Sequence, residues 1–309
     1  MFKKVLVPLD GSEVAQAILP YVSQLAKGLN IPIVLLSVIN PDAVRVPARF
    51  RSPHAAVTSP LPGDFSSRVE SRLKEEVLKP LEREGLEAKA IVVLGKPEVE
   101  IVNTAKNEEC DLIAMSTHGR GRLKRTFLGS VTYKVVHLSP IPVLVFNPEM
   151  ASKYGEKGGT ISRIIAPLDG SELAETSLPY VTELARKFSL EVDLVQVVEW
   201  IHGYGDEFYS PVYGDMQIDL EKWAAEYIGS VAERLSREGI ETKTNILQGS
   251  SVATSIVDFA RQTPSDLIVL TTHGYSGFSE LVFGGVAEAM VIESGDPVLV
   301  IPAVGPVQN

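Results

Sequence analysis

The feature that most constrains this chain of 309 residues is an internal repeat. Segment 5–13, Val-Leu-Val-Pro-Leu-Asp-Gly-Ser-Glu, returns as segment 164–172, Ile-Ile-Ala-Pro-Leu-Asp-Gly-Ser-Glu. The offset between matching segments shifts only from 159 to 155 residues along the chain, because loops differ slightly in length. The repeat therefore predicts one domain used twice, as residues 1–147 and 161–303 joined by a linker at 148–160. The other matching pairs are 19–22 with 178–181, 111–119 with 266–274, and 141–145 with 296–300.

Strands and helices alternate within each copy. Five prolines between 41 and 62 predict an irregular loop after the second strand, and Ser12 is expected to cap the first helix. The alternation predicts an α/β fold, with a Rossmann-like five-stranded parallel sheet in each domain and helices on both of its faces. For the first copy we predict strands at 3–9, 32–39, 88–93, 111–115 and 142–146, and helices at 16–28, 65–84, 97–109 and 130–138.

Composition disfavours membrane-spanning, secreted and disulfide-bonded classes of protein. The longest apolar run, 31–39, is too short to cross a membrane, and the first ten residues lack the apolar core of a signal peptide. The single cysteine, Cys110, rules out an internal disulfide and suits a reducing compartment. We therefore expect a cytoplasmic protein with no membrane partner and no structural zinc site.

Charge is distributed unequally between the copies. Residues 1–155 carry 20 Lys+Arg and 16 Asp+Glu, whereas residues 156–309 carry 9 and 23, within a net charge of −10. This balance disfavours nucleic acid as the main partner. It also predicts that an anionic ligand prefers the first copy.

The stretch 116–130 carries the chemistry of the first copy. It follows a buried-type strand and ends at Gly129-Ser130, where a helix is predicted to begin. Unpaired amide groups and the helix dipole favour an anion at such a position, and Ser130 can add a hydroxyl donor. Neither a P-loop nor a dinucleotide fingerprint is present, and a plain turn remains an alternative. The surrounding basic residues are Arg120, Arg122, Lys124 and Arg125, and guanidinium groups suit phosphate oxygens.

The spacing of this stretch resembles the nucleotide loop of the universal stress protein family, G-x-x-G, nine residues, then G-[ST]. Ser116 stands where the family has its first glycine, while Gly119, Gly129 and Ser130 match. The resemblance covers nearly the whole chain twice. It implies an adenine nucleotide alpha hydrolase-like fold and binding of ATP or another adenine nucleotide, with Mg²⁺.

Two further residues lie at strand ends that face the same loop, where ligands of parallel α/β sheets bind. Asp10 ends the first strand, and Val38 ends the second, where its backbone can meet a purine edge. In the family, the matching aspartate contacts ribose or a bound cation, and the matching valine reads adenine. Asp10 could equally be a helix-capping or turn residue. The predicted site of the first domain is Pro8, Leu9, Asp10, Val38, Ser116, His118, Gly119, Arg120, Gly129, Ser130, Val131 and Thr132.

The second copy keeps the loop but loses polar groups. Gly285 stands at the position of Ser130, none of the four basic residues is kept, and Glu280 adds a negative charge. We expect weaker binding there or none. The corresponding residues are Pro167, Leu168, Asp169, Val197, Thr271, Gly274, Gly284 and Gly285.

Three functions remain open. The leading hypothesis is an ATP-binding regulatory protein of the stress response, with no catalytic residue. An ATP-hydrolysing or nucleotidyl-transfer enzyme is the second, although such pyrophosphatases carry Ser-Gly-Gly-x-Asp-Ser where this chain has Asp10-Gly-Ser12. His118 and His273 are better read as loop organisers than as general bases, and Cys110 is a weak candidate for a redox sensor. The third function is a dimerisation module that no longer binds nucleotide.

The last strand of each copy is short and apolar. An exposed strand edge of this kind favours pairing with another strand. We therefore predict that 142–146 and 297–301 pair with each other, as last strands do between subunits in the family, to form a pseudo-dimer within the chain. A homodimer of chains is a further expectation.

Overall fold

Ten strands form one continuous sheet. The computed structural model describes residues 2–41, 65–117, 128–153, 160–200, 211–262, 266–272 and 284–302. Strand order is β3-β2-β1-β4-β5-β10-β9-β6-β7-β8, so each half contributes five neighbouring parallel strands, as predicted. The strands are β1 Val5–Pro8, β2 Ile33–Ile39, β3 Ala88–Leu94, β4 Leu112–Ser116, β5 Val143–Phe146, β6 Arg163–Pro167, β7 Glu191–Glu199, β8 Thr242–Gly249, β9 Asp266–Thr271 and β10 Val298–Ile301.

Helices cover both faces of the sheet, and a hydrophobic core lies on each side. In the first half these are α1 Glu13–Gln16, α2 Leu19–Leu29, α3 Phe65–Leu73, a π-helical segment Lys74–Leu78, α4 Lys79–Arg83, α5 Pro97–Asn107 and α6 Ser130–Leu138. The remainder are α7 Pro148–Lys153, α8 Glu172–Glu175, α9 Leu178–Phe188, α10 Pro211–Arg237, α11 Val252–Arg261 and α12 Gly285–Glu293. Buried residues of α2, α9 and α10 share one core, whereas those of α5, α6, α11 and α12 share the other.

The first helix differs from its prediction. Residues 16–28 are not one helix, because α1 ends at Gln16 and α2 begins at Leu19. Pro20 accounts for the break, since it lies in the first turn of α2 and has no amide hydrogen to continue a longer helix. Ser12 caps α1 as expected, and its hydroxyl oxygen accepts a hydrogen bond from the Ala15 amide at 3.1 Å.

The two halves join at β5 and β10, which pair antiparallel with Leu299 opposite Leu144. This is the edge pairing that the sequence predicts. Helix α2 makes a second contact across the junction, with the segment that precedes β6. The Gln24 side chain donates to the Ile161 carbonyl at 3.0 Å and accepts from the Ile161 amide at 2.7 Å. The sheet and both of its cores therefore continue from one half into the other.

Candidate functional site

The first-half crevice opens where β1 and β4 diverge at their carboxyl ends. Strand β1 lies between β2 and β4, and the chain leaves it for α1 and α2 on one face of the sheet. Helix α6, which follows β4, packs on the other face. The ends of β1 and β4 therefore mark the topological switch point, where α/β sheets hold their ligands.

Asp10 sits in a tight turn at the end of β1. Its Oδ1 accepts hydrogen bonds from the Ser12 amide at 2.9 Å and from the Ser12 hydroxyl at 2.6 Å. Gly11, with φ 79°, makes this turn accessible to the chain. The Asp10 side chain stays exposed, so it is a turn residue that also presents a carboxylate at the crevice.

The entry to α6 is tied to the end of β4. The Gly129 amide donates to the Thr117 carbonyl at 3.0 Å. The Thr132 hydroxyl, which is buried, lies 3.1 Å from both the Ser116 and Thr117 carbonyl oxygens and donates to them. These bonds fix the distance between strand end and helix start. The sequence predicts Thr132 as a site residue, whereas this bracing role depends on contacts that only the structure shows.

Helix α6 begins at Ser130, with Gly129 at the N-cap position. Its first intrahelical bond runs from the Tyr133 amide to the Gly129 carbonyl at 2.9 Å. Gly129 has no side chain to cap the helix, so the amides of the first turn are directed at the crevice and can meet an anion. The exposed Ser130 hydroxyl lies at the same helix end.

The remaining predicted residues divide into two groups. Pro8 and Leu9 border the crevice at β1, where the Leu9 amide donates to the Leu36 carbonyl at 2.8 Å. Val38 is half-buried near the end of β2, and Val131 is half-buried in α6. His118, Gly119, Arg120 and the other basic residues of the loop lie outside the described residues, as does Gly274.

The second half repeats the scaffold with fewer polar groups. Asp169 Oδ1 accepts from the Ser171 amide at 3.0 Å and from its hydroxyl at 2.6 Å. The Gly284 amide donates to the Thr272 carbonyl at 2.8 Å, and α12 begins at Gly285. Ala287 stands where α6 has Thr132, so this helix start lacks the hydroxyl brace. The other predicted residues keep their places: Pro167 and Leu168 at β6, Val197 in β7 and Thr271 at the end of β9.

A family model described as the Universal stress protein family matches residues 1–147 and 160–302. This chain belongs to that family. The resemblance seen in the sequence is thereby confirmed, and the fold class with it.

Individual members of the universal stress protein family match one half or the whole chain. A universal stress protein of Methanocaldococcus jannaschii, MJ0577, is 35% identical over 153 residues, which is 47% of this chain and 94% of that protein. One from Mycolicibacterium smegmatis is 22% identical over 298 residues, 96% of each chain. The solved structure of a universal stress protein from Archaeoglobus fulgidus superposes with a TM-score of 0.64 at 23% identity, covering 97% of this chain and 98% of that one. The M. smegmatis and A. fulgidus proteins match both halves of this universal stress protein along nearly their whole length, so they share its tandem arrangement.

Two residues outside the predicted site, Cys110 and Trp223, bear on function. Cys110 is buried, and burial raises the pKa of its thiol to about 11, which disfavours the redox-sensor hypothesis. Trp223 of α10 contacts the turn after β6 and was missed, although a tryptophan at that position in only one copy of the repeat was a usable signal. Among the described residues, no three acidic, histidine or cysteine side chains cluster as a metal site. Within the same ranges, each helix is too short or too polar to span a bilayer.

Proposed function

We propose that this universal stress protein binds an adenine nucleotide, ATP with Mg²⁺, in the crevice of its first half and acts as a cytoplasmic regulator in the stress response. One observation carries the proposal. The uncapped start of α6 with its Ser130 hydroxyl, and the exposed Asp10 carboxylate, lie at the carboxyl ends of the neighbouring strands β4 and β1. This arrangement matches the polarity of a nucleotide, which has phosphates at one end and ribose hydroxyls near its middle.

Each group would contribute differently to binding. The α6 amides and the Ser130 hydroxyl would bind phosphate oxygens. The basic residues between 120 and 125 add positive charge in the sequence of this loop. Asp10 would accept from a ribose hydroxyl or bind the Mg²⁺ that travels with the phosphates, since Mg²⁺ in nucleotide sites uses one or two carboxylates. The backbone at Val38 would contact the adenine edge.

The second half would bind nucleotide more weakly. Its helix start has Gly285 in place of Ser130 and Ala287 in place of Thr132. A hydrogen bond from a hydroxyl to a charged phosphate contributes about 1.5–3 kcal/mol. Loss of that bond alone lowers affinity roughly ten- to hundredfold.

Calorimetric titration of Mg·ATP into nucleotide-stripped protein tests the proposal. We expect one tight site per chain. The variant Ser130→Ala should weaken this site by about ten- to hundredfold, while the helix stays intact because alanine is favourable in its first turn. The matched control is Ser152→Ala, which removes an exposed helical hydroxyl that donates to the Pro148 carbonyl of its own helix, α7.

Two results would count against the proposal. If wild-type protein produced no heat at millimolar Mg·ATP, the dimerisation-module hypothesis would take its place. If Ser130→Ala bound ATP as tightly as wild type, the nucleotide would not lie at the α6 start. Chromatography of the nucleotide after incubation separates binding from hydrolysis, since the regulatory hypothesis expects ATP to be recovered unchanged.

A further inference from the structure

Trp223 lies directly on the turn that follows β6. A Cβ placed on Gly170 would come within 2.4 Å of Trp223 Cη2 and 3.0 Å of Cζ2, so the ring packs against the glycine backbone. Gly170 has φ +86°, a conformation that other residues rarely adopt. The glycine next to Asp169 would let a ligand approach the backbone closely. In this half, the tryptophan ring occupies that space.

Tyr227, one helical turn further along α10, supports this position. Its ring stacks on Trp223 with centroids 5.8 Å apart and planes 9° from parallel. Burial raises the pKa of the Tyr227 phenol, and the nearby carboxylates of Glu175 and Asp169 raise it further. The phenol therefore lies close enough to Asp169 for the carboxylate charge to affect its pKa. Together the two rings form an aromatic wall along this side of the second crevice.

The first half has a different residue at this point of the helix. Buried α10 residues Ile228 and Val231 are three apart, whereas their counterparts Leu73 and Val77 are four apart. The π-helical segment supplies the extra residue. Before that segment, the offset between copies is therefore 155, and Trp223 corresponds to Arg68, an exposed side chain of α3.

The two aspartates also differ in solvent exposure, in the direction expected if Trp223 shields Asp169 more than Arg68 shields Asp10. Asp10 is exposed, whereas Asp169 is only partly exposed although both make the same bonds to a serine two residues on. A ribose hydroxyl or a metal ion approaching Asp169 would meet the indole ring that packs on the neighbouring Gly170. The same approach in the first half meets a helix position that carries arginine.

We propose that Trp223 covers the second crevice at the Asp169–Gly170 turn and thereby restricts nucleotide to the first half. This inference rests on the proposed function, because it concerns the same kind of site. Trp223 is then a specificity-determining residue: it decides which of two similar scaffolds accepts the ligand. It acts by steric cover, in addition to the lost hydroxyl at Gly285.

The test separates two effects on nucleotide affinity in the second half: steric cover by Trp223, and the hydroxyl that Gly285 lacks. Gly285→Ser restores that hydroxyl, and a Cβ at Gly285 meets no atom within 4 Å. In this background we compare Trp223→Ala, which removes the cover, with Trp223→Phe, which keeps an aromatic ring. Calorimetry with Mg·ATP should find a second site in Gly285→Ser/Trp223→Ala, at least tenfold tighter than any in Gly285→Ser. The Phe variant should behave like Gly285→Ser alone. Since the Trp223 side chain is 51% exposed, neither substitution should prevent folding, and thermal melts check this.

The outcomes distinguish the two proposals. If every variant keeps the first ATP site and Trp223→Ala adds no second site, the proposal that Trp223 covers the second crevice is wrong. The proposed function is unaffected by that result. A wild-type protein without any ATP site overturns the proposed function. Fluorescence gives an independent readout, because the chain has two tryptophans and Trp200→Phe leaves only Trp223. Mg·ATP that saturates the first site should leave this emission unchanged, and quenching at that concentration would overturn the cover.

Discussion

At the scale of single residues, burial decides the chemistry of Cys110. Its amide donates to the Ala105 carbonyl at 2.8 Å where α5 ends, and its side chain is 6% exposed. Burial is the main cause that raises its thiol pKa to about 11, and Glu108 and Asp111 add to the effect. Thiolate is the reactive form. We therefore expect native protein at pH 8 to react with Ellman's reagent at least about 100-fold more slowly than unfolded protein in guanidinium. Equal rates in both states would show that Cys110 is accessible and ionised.

At the scale of elements, the β5–β10 pair holds the two half-sheets together. Leu299 is 2% exposed and lies opposite Leu144 in the antiparallel register. Truncation to alanine leaves a cavity in the core that both halves share. We expect Leu299→Ala to lower the free energy of unfolding by about 2–5 kcal/mol in urea titrations. The control is Leu94→Ala at an outer strand, where the side chain is 56% exposed and the change should stay within about 0.5 kcal/mol. Similar values for the two variants would show that the junction contributes little to stability.

At the scale of the whole molecule, the two halves are linked by charge as well as by packing. Tyr21 of α2 packs its ring on Phe146, with centroids 4.8 Å apart. Burial, together with the negative charge of Asp296 from the other half, raises the pKa of Tyr21 to about 12. Below pH 10 the phenol is protonated in both the folded and the unfolded chain. Between pH 10 and 12 only the unfolded chain loses its proton, so the free energy of unfolding falls as pH rises through this window.

The variant Tyr21→Phe removes this titration and should flatten the decline between pH 10 and 12, as measured by urea unfolding at several pH values. Tyr133→Phe, where the side chain is 40% exposed, is the control and should retain the wild-type decline. A Tyr21→Phe curve parallel to that of wild type would show that Tyr21 keeps an ordinary pKa in the folded protein.

The sequence by itself determined the repeat, the alternation of strands and helices, the pairing of the two terminal strands, and the candidate groups Asp10, Gly129 and Ser130. These features depend on contiguous residues: apolar periodicity, turn-forming dipeptides and the residue types at a helix start. They could be read without knowledge of any distant contact.

Only the tertiary structure decided how distant residues meet. Arg163 and Asp193, 2.7 Å apart, form a largely buried ion pair where the first half has Lys4 and Val34. The Thr132 brace, the π-helical residue that shifts α3 against α10, and the Trp223 ring on Gly170 are further examples. Each depends on residues that the chain brings together from separate elements. Local periodicity cannot predict these contacts, because it indicates which face of a helix or strand is apolar but not which residues pack against that face.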